Sequence, residues 1–422
     1  MATERTKLVS ENVCVENGAE STSAQAIPTQ VKKLLAEAYR ENRRSNYGRE
    51  REILIEALQN LEENENWEQN DECFELVTMT CAQIGWCSLV LQKYEDAIAY
   101  YTRALRLVKK TKDANREIEF CHYLGTAYRM QGKIKNALTA YNNALQISKK
   151  EKNKAAEANT YGHIGNTYHR AGNLKRAEDY YKKALTSHQE IRDVRGMATD
   201  YHNLALIYLL QEEYGKALKS LLRAHRLYIR AKDIGSEAEV CYLLGKLHQE
   251  INDYRKAAEF FEKAFAIYEE TKDGRGIAKV YDEIGIMCLH TESYNAAVEC
   301  FKKVLQVYEH MGDLETVGKT HMRLSIAYSM LFKYDIAIEH GMKGIACFEQ
   351  IKKTLHTSKQ QKEIQSEVEN AYKWVIELCR KAGREDMVER IKELMCAENP
   401  AMEGKNSEVR KLQYGGLELL FA

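Results

Sequence analysis

Apolar residues recur at helical spacing along most of the chain. In "TYGHIGNTYHRAGNLKRAEDYYKKALTSHQEIRD", Tyr161, Ile164, Gly165 and Tyr168 fall at i, i+3, i+4 and i+7, one stripe of an amphipathic helix. A polar turn containing Gly172 and Asn173 interrupts the stripe, and a second one resumes with Ala177, Tyr181 and Ala184 on a single face. The pair of stripes then repeats. Gly85, Gly125, Gly165, Gly245 and Gly285 stand at multiples of 40 residues, with Ala205 and Ser325 in the two remaining places. Twelve residues after each comes Ala97, Ala137, Ala177, Ala217, Ala257, Ala297 or Ala337. Tyr101, Tyr141, Tyr181, Leu221, Phe261 and Phe301 follow four residues later, with Gly341 as the exception. Next come Ala104, Ala144, Ala184, Ala224 and Ala264, drifting to Val304 and Gly344.

This periodicity predicts an all-α chain of seven tandem helix pairs over 71–352, without an insertion. The small residues predict close approach of the two helix backbones in each pair. Asp113, Asp193, Asp233, Asp273 and Asp313 recur at the end of the units, placed to cap the next helix by accepting from its free amides. Residues 29–70 read as a degenerate helix pair, because Tyr47, Ala57 and Leu58 keep the spacing of Tyr94, Ala104 and Leu105. Residues 353–398 read as two capping helices separated near Gly383, off the 40-residue register. Residues 1–28, rich in Ser, Thr and Glu, read as a disordered segment, and 399–422 as a flexible tail with the apolar end "LELLFA".

Composition narrows the functional classes. Only two prolines, Pro28 and Pro400, occur in 422 residues, and both flank the repeats. That fits a nearly all-helical chain and argues against folds with proline-bearing loops. Lys and Arg number 62, as do Asp and Glu, so the formal charge is zero and a dedicated nucleic-acid binder is disfavoured. No window of 18 uncharged apolar residues occurs, which predicts no membrane insertion. The eleven cysteines form no C-x-x-C pair, and Met1 to Thr6 is polar and charged rather than leader-like. These features predict a cytoplasmic protein with free thiols.

Cys81, Cys121 and Cys241 share the register of Tyr161 and Tyr201 and are assigned to the core. His248 and Cys288 take the slot of Tyr128 and Tyr168 and are assigned a half-buried packing role. The run "RENRR" at Arg40 to Arg44 reads as an exposed helix end. No zinc-protease, phosphate-loop or nucleophile-elbow motif is found, and "YGKAL" at Tyr214 to Leu218 lacks the glycine spacing of a phosphate loop. No enzyme, no cofactor and no metal site is the expectation.

Tyr161, Ile164, Gly165, Tyr168, Ala177, Tyr181 and Ala184 carry a pattern that resembles the tetratricopeptide repeat, strongly over about residues 71 to 350 and weakly over 31–70. The 40-residue unit is longer than the usual one of that family. "YGHIGNTYHRAGN" is similar to the signature of spindle-orientation adaptors with Leu-Gly-Asn repeats, although the Gα-binding motifs of those adaptors are not found. Bacterial peptide-sensing regulators with long, tyrosine-rich repeats are a second family of similar type. The resemblance implies a right-handed α-solenoid whose first helices line a concave groove for an extended or helical peptide.

In that family's register, the groove positions are His122, Tyr123, Thr126, Arg129, His163, Asn166, His169, Arg170, His202 and Asn203, with Lys246 and Arg323 further on. Asparagine there bonds peptide backbone and arginine pairs carboxylates, so a ligand with acidic residues is implied. Glu239, Glu250, Asp282 and Glu283 make the later part acidic. The functional expectation is a non-catalytic scaffold or adaptor. Its alternative is a peptide-responsive sensor held off by its own C-terminal tail, with self-association through the caps or tail.

Overall fold

The computed structural model describes residue 27 and residues 29–63, 67–354 and 358–398. The segments expected to be disordered or flexible, 1–28 and 399–422, lie outside the described residues apart from Ile27, as do Pro28 and Pro400. Every regular element described is helical, and no strand occurs among the described residues. The chain divides into two compact units, Met1–Lys232 and Asp233–Ala422.

The first unit holds α1 (Thr29–Arg43), α2 (Tyr47–Glu62), a short 3-10 turn (Trp67–Gln69), α3 (Asp71–Val90) and α4 (Tyr94–Thr111). It continues with α5 (Ala114–Met130), α6 (Ile134–Lys150), α7 (Lys154–Arg170), α8 (Leu174–Glu190), α9 (Val194–Leu210) and α10 (Tyr214–Ala231). The second unit holds α11 (Ile234–Glu250), α12 (Tyr254–Glu270), α13 (Gly274–His290), α14 (Tyr294–Met311), α15 (Leu314–Met330), α16 (Tyr334–Thr354), α17 (Ser358–Lys381) and α18 (Glu385–Glu398). Within each unit every helix packs on the next in sequence, as helical hairpins stacked side by side do.

The ends of the first helices are fixed by the aspartates expected to cap them. Asp113, Asp193, Asp233, Asp273 and Asp313 each accept the amide three residues on, and Asn153 does the same for α7. A residue of positive φ opens each turn, and few of these are glycine: Lys152, Arg192, Glu212, Lys272, Glu292 and Phe332 all adopt it. At the C-terminal end Gly383, φ 69°, separates α17 from α18.

The recurring glycines have a different role from the one expected. They face an aromatic ring of the partner helix rather than its backbone. A Cβ at position 125 would lie 2.6 Å from Tyr141 Cε1, one at 165 would lie 2.7 Å from Tyr181, and one at 245 or 285 would lie 2.5 Å from Phe261 or Phe301. Those rings are fully buried, so each of these hairpins is keyed by a ring lying over a bare Cα. Where the glycine is replaced, the ring is too: Ala205 stands in the copy with Leu221, and Ser325 in the copy with Gly341. In that last copy Val375 of α17 fills the vacated space, because a Cβ at 341 would meet its Cγ2 at 2.5 Å. Trp374 Nε1 also donates to Ser325 Oγ at 3.0 Å.

Asp71–Val90 alone among the described helices is long and apolar enough to cross a membrane by length and composition. Its Cys73, Val77, Cys81, Ile84 and Cys87 are nonetheless buried in the first unit's core, packed with α2 and α4.

Candidate functional site

The first helices of successive hairpins approach one another: α5 touches α7, and α7 touches α9. Their facing residues form a polar band inside the first unit. At its centre, the ring of His163 stacks on Tyr141, with centroids 5.3 Å apart and planes 2° from parallel. His122 packs against His163 at 4.7 Å, and its Nε2 meets Thr160 Oγ1 at 2.8 Å. Both imidazoles are held neutral. Burial pulls His163 down to about 4, with the Arg129 cation adding to it, and burial together with His163 pulls His122 down to about 3.

The hydroxyls of the keyed tyrosines reach this band from the second helices. Tyr141 shares a hydrogen bond of 3.0 Å with Thr126, and the Tyr181 hydroxyl donates to Asn166 Oδ1 at 2.7 Å. That bond orients the Asn166 amide. The Arg129 guanidinium lies against the Tyr141 hydroxyl and within the field of His163 and Tyr181. Its Nε is buried without a hydrogen-bond partner, and among the described residues no carboxylate pairs with it. That is the unusual feature of the band: a guanidinium among neutral rings and amides, with its charge uncompensated.

The other residues singled out from sequence divide into two groups. Tyr123 packs on Tyr101 and Phe120, His202 stands edge-on to Tyr228, and His169 and Asn203 are half-buried on the same helices. Arg170 is exposed, with Nη2 3.5 Å from the Met130 carbonyl. The structure thus brings His122, Thr126, Arg129, His163 and Asn166 together. Lys246 and Arg323 belong to the second unit, and neither offers a free cation. Lys246 Nζ pairs with Glu283 at 2.9 Å, and Arg323 Nη1 pairs with both oxygens of Asp282 at 2.5 Å. Two members of the acidic patch read from sequence, Asp282 and Glu283, are paired by these contacts, and Glu239 lies 3.4 Å from Lys279.

Tyr141, Tyr181 and Thr160 were missed by sequence reasoning, because their register marks them as core. A tyrosine in place of the phenylalanines at 261 and 301 was the available signal, since a buried hydroxyl needs a partner. A second buried polar pair sits between α8 and α9, where His188 Nδ1 and Asp200 Oδ2 are 2.6 Å apart and the imidazole lies over Gly196. Burial raises Asp200 to about 6, against the opposing pull of His188. Among the described residues no three His, Cys, Asp or Glu side chains converge as a metal site.

Sequence models described as "Tetratricopeptide repeat" match residues 80–114, 119–190 and 196–270. No curated protein sequence matches the chain. Among solved structures, the chain is similar to a signal-transduction ATPase with a tetratricopeptide repeat sensor from Pyrococcus horikoshii, at 14% identity and TM-score 0.60, over 83% of this chain and 53% of that one. It is similar to the quorum sensor NprR from B. thuringiensis at 14% identity and TM-score 0.55, over 81% of this chain and 91% of that one. The apo form of RapI aligns at 17% identity and TM-score 0.51, over 65% and 99% of the two chains. At these identities the likeness is one of fold, and it agrees with the stacked hairpins of each unit. Tetratricopeptide repeats are therefore recognised in this chain, in both the sequence and the helical architecture.

Proposed function

We propose that the chain is a non-catalytic protein-interaction module, and that the polar band of α5, α7 and α9 holds an acidic segment of a partner protein. Arg129 carries the reading. A half-buried guanidinium without a carboxylate is electrostatically incomplete, and an Asp or Glu side chain of a ligand completes it in two-pronged fashion. Thr126, Asn166 and Asn203 supply the neighbouring amide and hydroxyl groups for the ligand backbone, and exposed Arg170 extends the positive end. The tyrosine and histidine rings give a rigid floor that loses little entropy on binding.

Lys246 and Arg323 contribute to this reading only as parts of ion pairs in the second unit. The 40-residue spacing of helix starts at Ala114, Lys154, Val194, Ile234, Gly274 and Leu314 supports a long-repeat type like that of the Leu-Gly-Asn adaptors. We assign α1 and α2 to a degenerate repeat, α17 and α18 to a cap, and the protein to the cytoplasm. A sensor that responds to a bound peptide is the second reading. It is favoured by the sensor roles of the Pyrococcus repeat region and of NprR.

The test is fluorescence polarisation of the full chain against matched peptide pools carrying Asp/Glu, Lys/Arg or neutral residues at fixed positions. The acidic pool binds best, its affinity falls with added salt, and R129E with R170E lowers it at least tenfold, whereas R255E leaves it unchanged. Equal binding of all pools, or binding insensitive to R129E, refutes the assignment.

A further inference from the structure

Several hairpins place a second pair of side chains face to face, one residue near the end of the first helix and one twelve residues later on its partner. In three copies this pair is a stack of rings. Tyr168 lies on Tyr180 with centroids 5.5 Å apart, His248 on Phe260 at 5.6 Å, and Tyr328 on His340 at 5.4 Å. In the copy formed by α13 and α14 the same two positions are Cys288 and Cys300. Where those three copies place two rings in contact, this one places two thiols, near enough for each to shift the other's titration.

We propose that Cys288 and Cys300 form a redox-active dithiol, a modification site that hydrogen peroxide converts to an intramolecular disulfide tying α13 to α14. The Cys288 thiolate attacks one peroxide oxygen, the O–O bond breaks, and hydroxide leaves, giving a sulfenic acid. The Cys300 sulfur then attacks the Cys288 sulfur. The S–O bond breaks, its oxygen leaves as water with the Cys300 proton, and the S–S bond forms. The two thiols are oxidised by two electrons in all, and one peroxide is reduced to two waters once the hydroxide regains a proton.

Two further observations distinguish this pair. Cys81, Cys121 and Cys241 are buried, and burial pushes their thiols up to about 12, about 11 and about 12. Cys288 and Cys300 are both half-buried, so a small oxidant reaches them. The contact between them also lowers the Cys288 thiol and raises that of Cys300. Cys288 is therefore assigned as the attacking sulfur and Cys300 as the resolving one.

The experiment treats the full-length protein with hydrogen peroxide, blocks remaining thiols, and maps peptides without reduction. A linked peptide containing Cys288 and Cys300 appears, the protein loses the mass of two hydrogen atoms, and dithiothreitol reverses both. In C300S, dimedone labels Cys288; in C288S, Cys300 is not labelled at that dose. Iodoacetamide alkylates Cys288 faster than Cys347 in the wild type. Absence of the linked peptide from folded, oxidised protein overturns the proposal, as does alkylation of Cys288 no faster than that of Cys347.

Discussion

The ring-over-glycine key makes a quantitative prediction at Gly245 and Phe261. In an ordinary helix interior, Gly to Ala stabilises by about 0.5–1 kcal/mol, because alanine has less backbone freedom to lose. Here the new methyl would stand 2.5 Å from Phe261 Cε1, against 3.4 Å or more in normal contact, so the ring must retreat by about 1 Å. It has nowhere to go: Phe261 is fully buried among Ala238, Cys241, Ala257 and Ala264. Overpacking of this kind costs about 1–3 kcal/mol, which outweighs the propensity gain and leaves G245A about 1–2 kcal/mol less stable. F261L alone loses part of a ring and leaves a void, a cost of about 1–2 kcal/mol. The double variant recreates the natural pairing of Ala205 with Leu221, in which methyl and smaller side chain share the space. It should cost no more than about 1 kcal/mol relative to wild type, a coupling of about 1–3 kcal/mol between the two sites. Urea unfolding followed by circular dichroism, with hydrogen exchange on α11 and α12, measures all four proteins. Additive destabilisation within about 0.5 kcal/mol refutes the key and leaves the glycine periodicity without this cause.

Other contacts give further outcomes. Phe332 is 79% exposed and held at φ 59°, so F332G should stabilise the second unit by about 1 kcal/mol in thermal or urea melts. D273A removes the acceptor for the Gly276 amide and should cost about 1 kcal/mol, with D273N or D273S retaining most of it. R323M strands Asp282 in a half-buried site and should destabilise by about 2–4 kcal/mol, with D282N in the same chain restoring part of the loss. His122 and His163 titrate lower when folded, at about 3 and about 4, than the ordinary value of about 6.5. Their contribution is therefore complete above about pH 6.5 and lost as pH falls toward 4, by up to about 1.4 kcal/mol per pH unit for each ring. H163Q should flatten that slope in urea titrations between pH 6.5 and 4, and an unchanged slope would show that the ring is solvated.

The hairpins were legible because each is written several times. Glycine, alanine and an aromatic recur in register, and recurrence separates a steric requirement from an accident of composition. The aspartate caps were legible for the same reason. The cause of the glycines was not, since a small residue is equally required by a near backbone and by a near ring. Only the paired exceptions, Ala205 with Leu221 and Ser325 with Gly341, tell the two apart. The site was legible as a face and not as a set of contacts. Family register places Lys246 and Arg323 beside Arg129 in kind, yet their carboxylate partners lie 37 and 41 residues away in sequence, nearly one repeat, and only the packed helices bring them together. Nothing in the order of residues announces that Arg129 lacks such a partner.

The departures from the repeat are where its chemistry is concentrated. A solenoid position filled alike in every copy is explained by the stack itself, because the same neighbours surround it each time. Position 129 is occupied in the following copies by His169, Leu209, Gln249, Leu289 and Ser329, so packing does not ask for a guanidinium there. The facing slots of α13 and α14 hold two thiols where other copies hold stacked rings, so packing does not ask for cysteine either. Both substitutions give up something the fold would otherwise use, hydration of a cation in one case and ring contact in the other. A residue that does not serve the packing of its repeat is where a partner outside the stack is to be sought, and that is the ground for the carboxylate proposed for Arg129 and the oxidant proposed for Cys288 and Cys300.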